Sequence, residues 1–114
     1  MSAITTHVLD TSRGRPASGV PVSLEIQSAE HGWELIGKGE TDADGRLKEL
    51  LPQEHVLARG LYRLTFDTAS YFSSRNVESF YPEVCIIFSV RDAAQHYHVP
   101  LLLNPYGYST YRGS

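Results

Sequence analysis

The chain has 114 residues, of which 41% are apolar and 20% charged, and it carries a formal net charge of −3 at neutral pH. Those values fit one globular core of ordinary size, a single domain over 1–114, and exclude a disordered chain. The slight acidity gives no basic stripe for nucleic acid or an anionic membrane surface, and no apolar run reaches membrane-spanning length.

The first β-prone run is Thr6 to Leu9, with His7 and Leu9 on one face and Thr6, Val8 and Asp10 on the other. Asp10 to Pro16 has the composition of a loop. Val20 to Gln27 alternates cleanly, Val22, Leu24 and Ile26 against Ser23, Glu25 and Gln27, as a strand half buried in a sheet does. Glu30-His31-Gly32 breaks the chain. Trp33 to Thr41 is a second run, closed by Thr41-Asp42-Ala43-Asp44-Gly45-Arg46, where Gly45 can take positive φ in a hairpin-like turn with Arg46 at its shoulder. Leu47 to Arg59 fits no single element, and Pro52 argues against one continuous helix.

Leu61 to Phe66 reads as a strand with Tyr62, Leu64 and Phe66 on the core face. Asp67 or Thr68 can cap a short helix through Ala69, Ser70, Tyr71 and Phe72, the one convincing helix of the chain. Glu83 to Val90 is apolar on both faces, with Val84, Ile86, Phe88 and Val90 on one side and Cys85 and Ile87 on the other. This predicts a strand covered on both sides, by its own domain or by a neighbouring subunit. In the final stretch Val99, Leu101 and Leu103 read as core, while His98, Pro100, Leu102 and Asn104 share the opposite face. A face that mixes Leu102 with a histidine suggests a surface that is covered by a partner yet keeps polar groups for a ligand. Short strands punctuated by turns indicate an all-β, antiparallel two-sheet sandwich with one short helix, although closed barrels share the periodicity.

Among groups able to do chemistry, the five histidines come first, because imidazole transfers protons near neutral pH. His31 and His55 lie among loop residues and read as solvated. His7 and His98 lie on strands, each with an apolar neighbour on its own face, which suits either a packed interface or a site. His96 and His98 share a strand face, and a three-histidine metal site with His7 is not expected, since nothing in the sequence brings His7 to them. Asp42-Ala43-Asp44-Gly45 lacks the further ligands of a calcium loop. Cys85, between Val84 and Ile86, reads as core packing, with burial disfavouring its thiolate. A lone cysteine cannot form an intrachain disulfide, which suits a reducing, cytoplasmic setting. The first six residues have neither the basic nor the apolar segment of a secretory leader.

His96 to Leu103, followed by Pro105-Tyr106-Gly107-Tyr108-Ser109-Thr110-Tyr111-Arg112-Gly113-Ser114, closely resembles the 5-hydroxyisourate hydrolases, the transthyretin-related enzymes of urate breakdown. Thr6 to Asp10, Gly14, Pro16 and Ala17, the Thr41 to Arg46 turn, and Phe80 to Val84 resemble theirs as well. Asn104 stands where that family is expected to have serine, a small departure on a turn. The resemblance implies a prealbumin-like sandwich and a homotetramer, a dimer of dimers with active sites in the channel between dimers and no metal or organic cofactor. It implies hydrolysis of the ring amide of 5-hydroxyisourate to 2-oxo-4-hydroxy-4-carboxy-5-ureidoimidazoline. By matching motif, His7, Arg46, His98 and Ser114 are the expected catalytic residues, and His7, Arg46, Tyr111 and Arg112 the expected substrate contacts. Which histidine acts as base stays open. A carrier of planar ligands on the same fold is the competing reading, against which the histidine pair and the Tyr-Arg-Gly-Ser tail argue.

Overall fold

Alternation of apolar and polar residues resolves into strands almost throughout. In the computed structural model, which describes residues 2–30 and 32–114, these are β1 (Ile4–Asp10), β2 (Arg15–Pro16), β3 (Pro21–Ser28), β4 (Gly32–Glu40), β5 (Arg46–Leu47), β6 (Gly60–Phe66), β7 (Val84–Val90), β8 (Tyr97–Asn104) and β9 (Gly107–Thr110). The helix α1 (Thr68–Ser73) follows β6. Met1 and His31 lie outside the described residues, and with them the expected solvation of His31. His55 is exposed, as its loop position predicts.

The strands form two sheets. One runs β2-β1-β8-β9, with β5 also paired to β1; the other runs β4-β3-β6-β7. Residues on alternate positions turn into the space between them: Ile4 and Val8 from β1, Val22 and Leu24 from β3, Tyr62, Leu64 and Phe66 from β6, Val99, Leu101 and Leu103 from β8. Each such side chain contributes about 1.5–3 kcal/mol by leaving water. The two-sheet sandwich is thus the expected one. Its pairings are antiparallel except β1 with β8, which run parallel from Ile4↔Tyr97 to Asp10↔Leu103.

The Asp-Gly turn differs from a simple hairpin. Gly45 takes φ +76°, and Asp42 Oδ1 accepts from the backbone N–H of Asp44 at 2.9 Å and of Arg46 at 3.0 Å. Those hydrogen bonds, Arg46's first, hold the Asp42 carboxyl below its ordinary value. The strands on either side belong to different sheets, however: β4 leaves one and β5 joins β1 in the other. The Val8 N–H donates to the Gly45 carbonyl at 2.7 Å, and a Cβ on Gly45 would stand 2.4 Å from the Val8 carbonyl oxygen. Only glycine lets the turn press this closely on β1.

Residues 48–59 form no helix; Leu50, Leu51 and Leu57 nonetheless plug one end of the core. Asp67 caps α1, its Oδ1 accepting from the Ser70 N–H at 3.1 Å. The expectation for Cys85 is corrected: the side chain is exposed, and Ile87 on the same face is 57% exposed. A two-layer sandwich has nothing outside β7, so Val84, Ile86 and Val90 are buried and their alternates are not. The Cys85 thiol donates to Glu83 Oε2 at 3.5 Å.

One buried polar contact ties α1 to β1. Tyr71 and Asp10 are 2% and 1% exposed, and the Tyr71 hydroxyl donates to Asp10 Oδ2 at 2.7 Å. Burial alone would raise the Asp10 carboxyl, but hydrogen bonds from Ser12, Tyr71 and the Arg13 and Ser12 backbone outweigh it and hold the value below normal. Replacing Tyr71 with Phe is expected to cost about 1.5–3 kcal/mol in urea unfolding at pH 7. A carboxyl depressed in the folded state stabilises above its unfolded value, near ~4, and that contribution is lost as pH falls through the folded one. The gap between wild type and Tyr71→Phe should accordingly narrow below about pH 4.

Candidate active site on the outer face of a sheet

Period-two alternation assigns the outer face of the first sheet. On β1, Ile4, Thr6 and Val8 turn inward, leaving Thr5, His7 and Leu9 outward; on β8, Tyr97, Val99, Leu101 and Leu103 turn inward, leaving His98, Pro100 and Leu102 outward. The parallel register sets Thr5 beside His98 and His7 beside Pro100. The antiparallel register of β5 sets Arg46 beside His7, and Lys48 follows two residues on. On the far side of β8 an isolated bridge joins His98 to Gly113, with the Gly113 N–H donating to the His98 carbonyl at 2.8 Å. Pro100, expected to face outward with Leu102, is buried within the chain, while Leu102 is half-buried.

These elements enclose a depression of about 300 Å³ lined by Thr5, Thr6, Arg46, Lys48, His96, His98 and Ser114. A larger hollow of about 500 Å³ on the other sheet, bordered by Lys38, Glu40 and Asp67, contains no imidazole, so volume does not locate the chemistry. His98 is gripped on two edges. Thr5 Oγ1 lies 2.8 Å from its Nδ1, and a Cβ on Gly113 would stand 2.6 Å from its Cδ2. Its ring borders the depression, and Nε2 is the ring nitrogen that Thr5 does not engage. Burial first, then the positive charges of His96, Arg46 and His7, hold the His98 pKa below its ordinary value and so favour the neutral ring. His7 is fixed differently: Nε2–H donates to the Asp44 carbonyl at 2.9 Å, since a carbonyl only accepts, which leaves Nδ1 for a ligand.

Of the expected site residues, the fold brings His7, Arg46, His98 and Ser114 to this face. Tyr111 and Arg112 are not brought to the depression within one chain. Tyr111 is 58% exposed and borders a second hollow between β7 and β9, beside Ile87 and Phe88. The Arg112 guanidinium lies 4.5 Å over the Tyr97 ring and donates to Gln95 Oε1 at 2.8 Å, anchoring the tail that carries Gly113 and Ser114. Among the described residues no three histidine, cysteine or acidic side chains stand close enough to hold one metal ion. Thr5 and Lys48 escaped the sequence reading, and both carry a signal: each lies two residues from an expected site residue, His7 and Arg46, which on a strand means the same face.

Fold and face together define a transthyretin-type sandwich with a cationic, histidine-bearing outer sheet. The HIUase/Transthyretin family model matches residues 4–113. The chain belongs to that family, as its motifs implied. It is 49% identical over 111 residues to a 5-hydroxyisourate hydrolase of Salmonella dublin, spanning 97% of this chain and 80% of that one. The structure of Klebsiella pneumoniae 5-hydroxyisourate hydrolase is similar with a TM-score of 0.86 at 38% identity over 100% of both chains. That of sea bream transthyretin in complex with thyroxine reaches 0.90 at 30% identity, over 97% of this chain and 94% of the other.

The Gly113 contact gives a direct check on this geometry. A Gly113→Ala chain should still fold, because the residue is in the tail, but its methyl group must displace either the His98 ring or the tail itself. A misplacement near 1 Å costs on the order of 10²-fold in catalysis, so turnover of the natural substrate should fall at least tenfold with the melting temperature little changed.

Proposed function

We propose that the protein opens the ring amide of 5-hydroxyisourate with a water activated by His98, giving 2-oxo-4-hydroxy-4-carboxy-5-ureidoimidazoline. The protein is an enzyme of the 5-hydroxyisourate hydrolase type in urate degradation, the activity named for relatives 49% and 43% identical over nearly the whole chain. The observation that carries the mechanism is the seating of His98, with Thr5 Oγ1 at 2.8 Å from Nδ1 and Gly113 packed against Cδ2, on the border of a depression that also contains Arg46.

Amide hydrolysis needs a base for the attacking water, a donor for the carbonyl oxygen as charge develops, and a proton for the departing nitrogen. His98 Nε2 is the base. Arg46 and Lys48 are two cations where oxyanion charge would build, and Arg46 adds a planar fork that matches the ring oxygens. His7 faces the same surface with Nδ1 free, so it holds the substrate and supplies the second proton-transfer group. Ser114 closes the depression, and Arg112 orients the tail through Tyr97 and Gln95. A metal is not needed in this scheme, since a positioned base contributes ~10²–10⁴-fold and an oxyanion donor a comparable factor.

Tyr111 acts in the assembly. β7 and β9 each form one edge of their sheet, and the hollow between them is bordered by exposed Ile87 and Tyr111. Pairing such edges with a second copy satisfies their unpaired backbone groups. Two such dimers, laid with their histidine-bearing faces together, form the homotetramer, its channel lined by Leu102 and by the histidines. Tyr111 then positions the heterocycle at the channel wall. The lone cysteine is consistent with a cytoplasmic enzyme.

A carrier would need the same face without the chemistry. The two readings separate on the ultraviolet decay of freshly generated 5-hydroxyisourate: the protein should accelerate it, and His98→Asn should lose ~10²–10⁴-fold of that acceleration while sedimenting as the same oligomer. Full activity in His98→Asn would remove His98 from the mechanism. Because the His98 imidazolium is disfavoured, kcat/KM should hold at neutral pH and decline only below the ordinary histidine value near ~6.5.

A further inference from the structure

Two imidazoles share one hydroxyl. Thr5 Oγ1 lies 2.8 Å from His98 Nδ1 and 3.1 Å from His96 Nε2, and Thr5 is 3% exposed. The rings are stacked, with centroids 6.4 Å apart and planes 15° from parallel. The arrangement follows from the sheet: Thr5 faces His98 in the parallel register, and His96 lies two residues earlier on the same side. His96 is exposed and His98 half-buried.

A threonine hydroxyl has one proton, so it donates to one ring and accepts from the other. When Thr5 donates to His96 Nε2, it accepts from His98 Nδ1–H, and His98 Nε2 presents a lone pair to the depression. When His96 Nε2–H donates to Thr5, Thr5 donates to His98 Nδ1, and His98 Nε2 carries a proton. The first state is a base, the second an acid. We propose that Thr5 is a positioning residue that couples the two rings by a proton relay, so that exposed His96 takes the positive charge His98 acquires during turnover. This rests on the reading of His98 as the group that deprotonates water.

The protons balance without any further reactant. Water gives a proton to His98 Nε2 as its oxygen bonds to the amide carbon. The His98 Nδ1 proton passes to Thr5 Oγ1, and the Thr5 proton passes to His96 Nε2. His98 is then neutral with Nε2–H. As the C–N bond breaks, the two relay protons return through Thr5 to His98 Nδ1 while Nε2–H is donated to the departing nitrogen, so the ring keeps at least one proton throughout and the starting state is restored. The gain is electrostatic. Facing His98 are Arg46 from β5 and Lys48 just after it, His7 from β1, His96 just before β8, and Ser114 from the tail. A charge left on His98 would sit half-buried beside Arg46 and Lys48, whereas on His96 it is solvated.

The experiment compares wild type, Thr5→Val, Thr5→Ser and His96→Phe by steady-state kinetics on 5-hydroxyisourate and by 15N NMR of the histidine rings without substrate. Thr5→Val and His96→Phe should lower kcat by about 10–100-fold, less than loss of the base itself, with KM within about twofold. Thr5→Ser should recover most of the loss. In wild type, His98 should carry its proton on Nδ1, and the His96 and His98 titrations should be mutually dependent; in Thr5→Val each ring should titrate as a separate single group. Wild-type kcat in Thr5→Val, or Thr5→Ser as impaired as Thr5→Val, overturns the relay. If Thr5→Val does not fold, His96→Phe decides, since His96 is on the surface and normal kcat there also overturns it. Should wild type not hydrolyse 5-hydroxyisourate, the hydrolase reading fails, while the NMR titration still reports whether the rings are coupled.

Discussion

The parallel pairing of β1 with β8 is the constraint on which the site depends. Every other pairing in the two sheets is antiparallel, but this one sets the first and the penultimate strands side by side in the same direction. Parallel strands require the intervening chain to return to its starting end, and here all of β2 through β7 lies between Thr5 and His98 in the sequence. The long-range geometry carries a cost in folding speed, because non-local contacts form only after their loop closure has been met. In exchange, residues 93 apart share a hydrogen bond across adjacent strands, on elements rather than on loops.

Around that pair, each neighbour reaches the face by its own local device. Arg46 arrives because Gly45 takes a left-handed backbone against Val8, which docks β5 on β1 instead of letting the chain fold back on β4. Ser114 arrives because the tail hydrogen-bonds to the His98 carbonyl through Gly113 and is anchored sideways by Arg112 on Tyr97. His7 is aimed by the Asp44 carbonyl, so the same turn that delivers Arg46 also orients the second histidine. Backbone groups hold most of these contacts, which makes the constellation insensitive to side chains elsewhere and sensitive to two glycines.

Much of this was legible from residues alone where the physics is local. Val22 and Leu24 on β3, Tyr62, Leu64 and Phe66 on β6, and the Asp67-capped helix follow from period and capping chemistry, and they are buried or placed as those rules require. Strand direction is not a local property, so the parallel β1–β8 pair and the transfer of β5 to the other sheet had no signature in alternation. Cys85 was misread for a related reason: alternation reports which residues share a face, not whether a second layer covers it. For the candidate site, the family's motifs named His7, Arg46 and His98, and the register sets His7 beside Arg46 on one face and His98 beside Thr5. Thr5 carried only the weak signal of sharing a strand face with His7; its pairing with His98 depends on a register that the folded chain displays.

The scaffold itself does not select the chemistry. Sea bream transthyretin, described in complex with thyroxine, shares this sandwich with a TM-score of 0.90, slightly above the 0.86 of the Klebsiella hydrolase. Inward positions on β1 and β8 must satisfy packing in either protein, and they fix the distance between outward ones. Function is then written on the outward set, where a carrier requires a surface complementary to its ligand and a hydrolase requires groups that change protonation. In this chain the outward set puts two cations, an imidazole whose pKa burial and nearby positive charge hold down, and a buried hydroxyl within one depression. Placing Arg46 near His98 opposes its protonation, and in the proposed scheme the charges of Arg46 and Lys48 favour an anion forming on a bound carbonyl. Both effects would serve base catalysis by His98, and simple retention of a planar ligand requires neither.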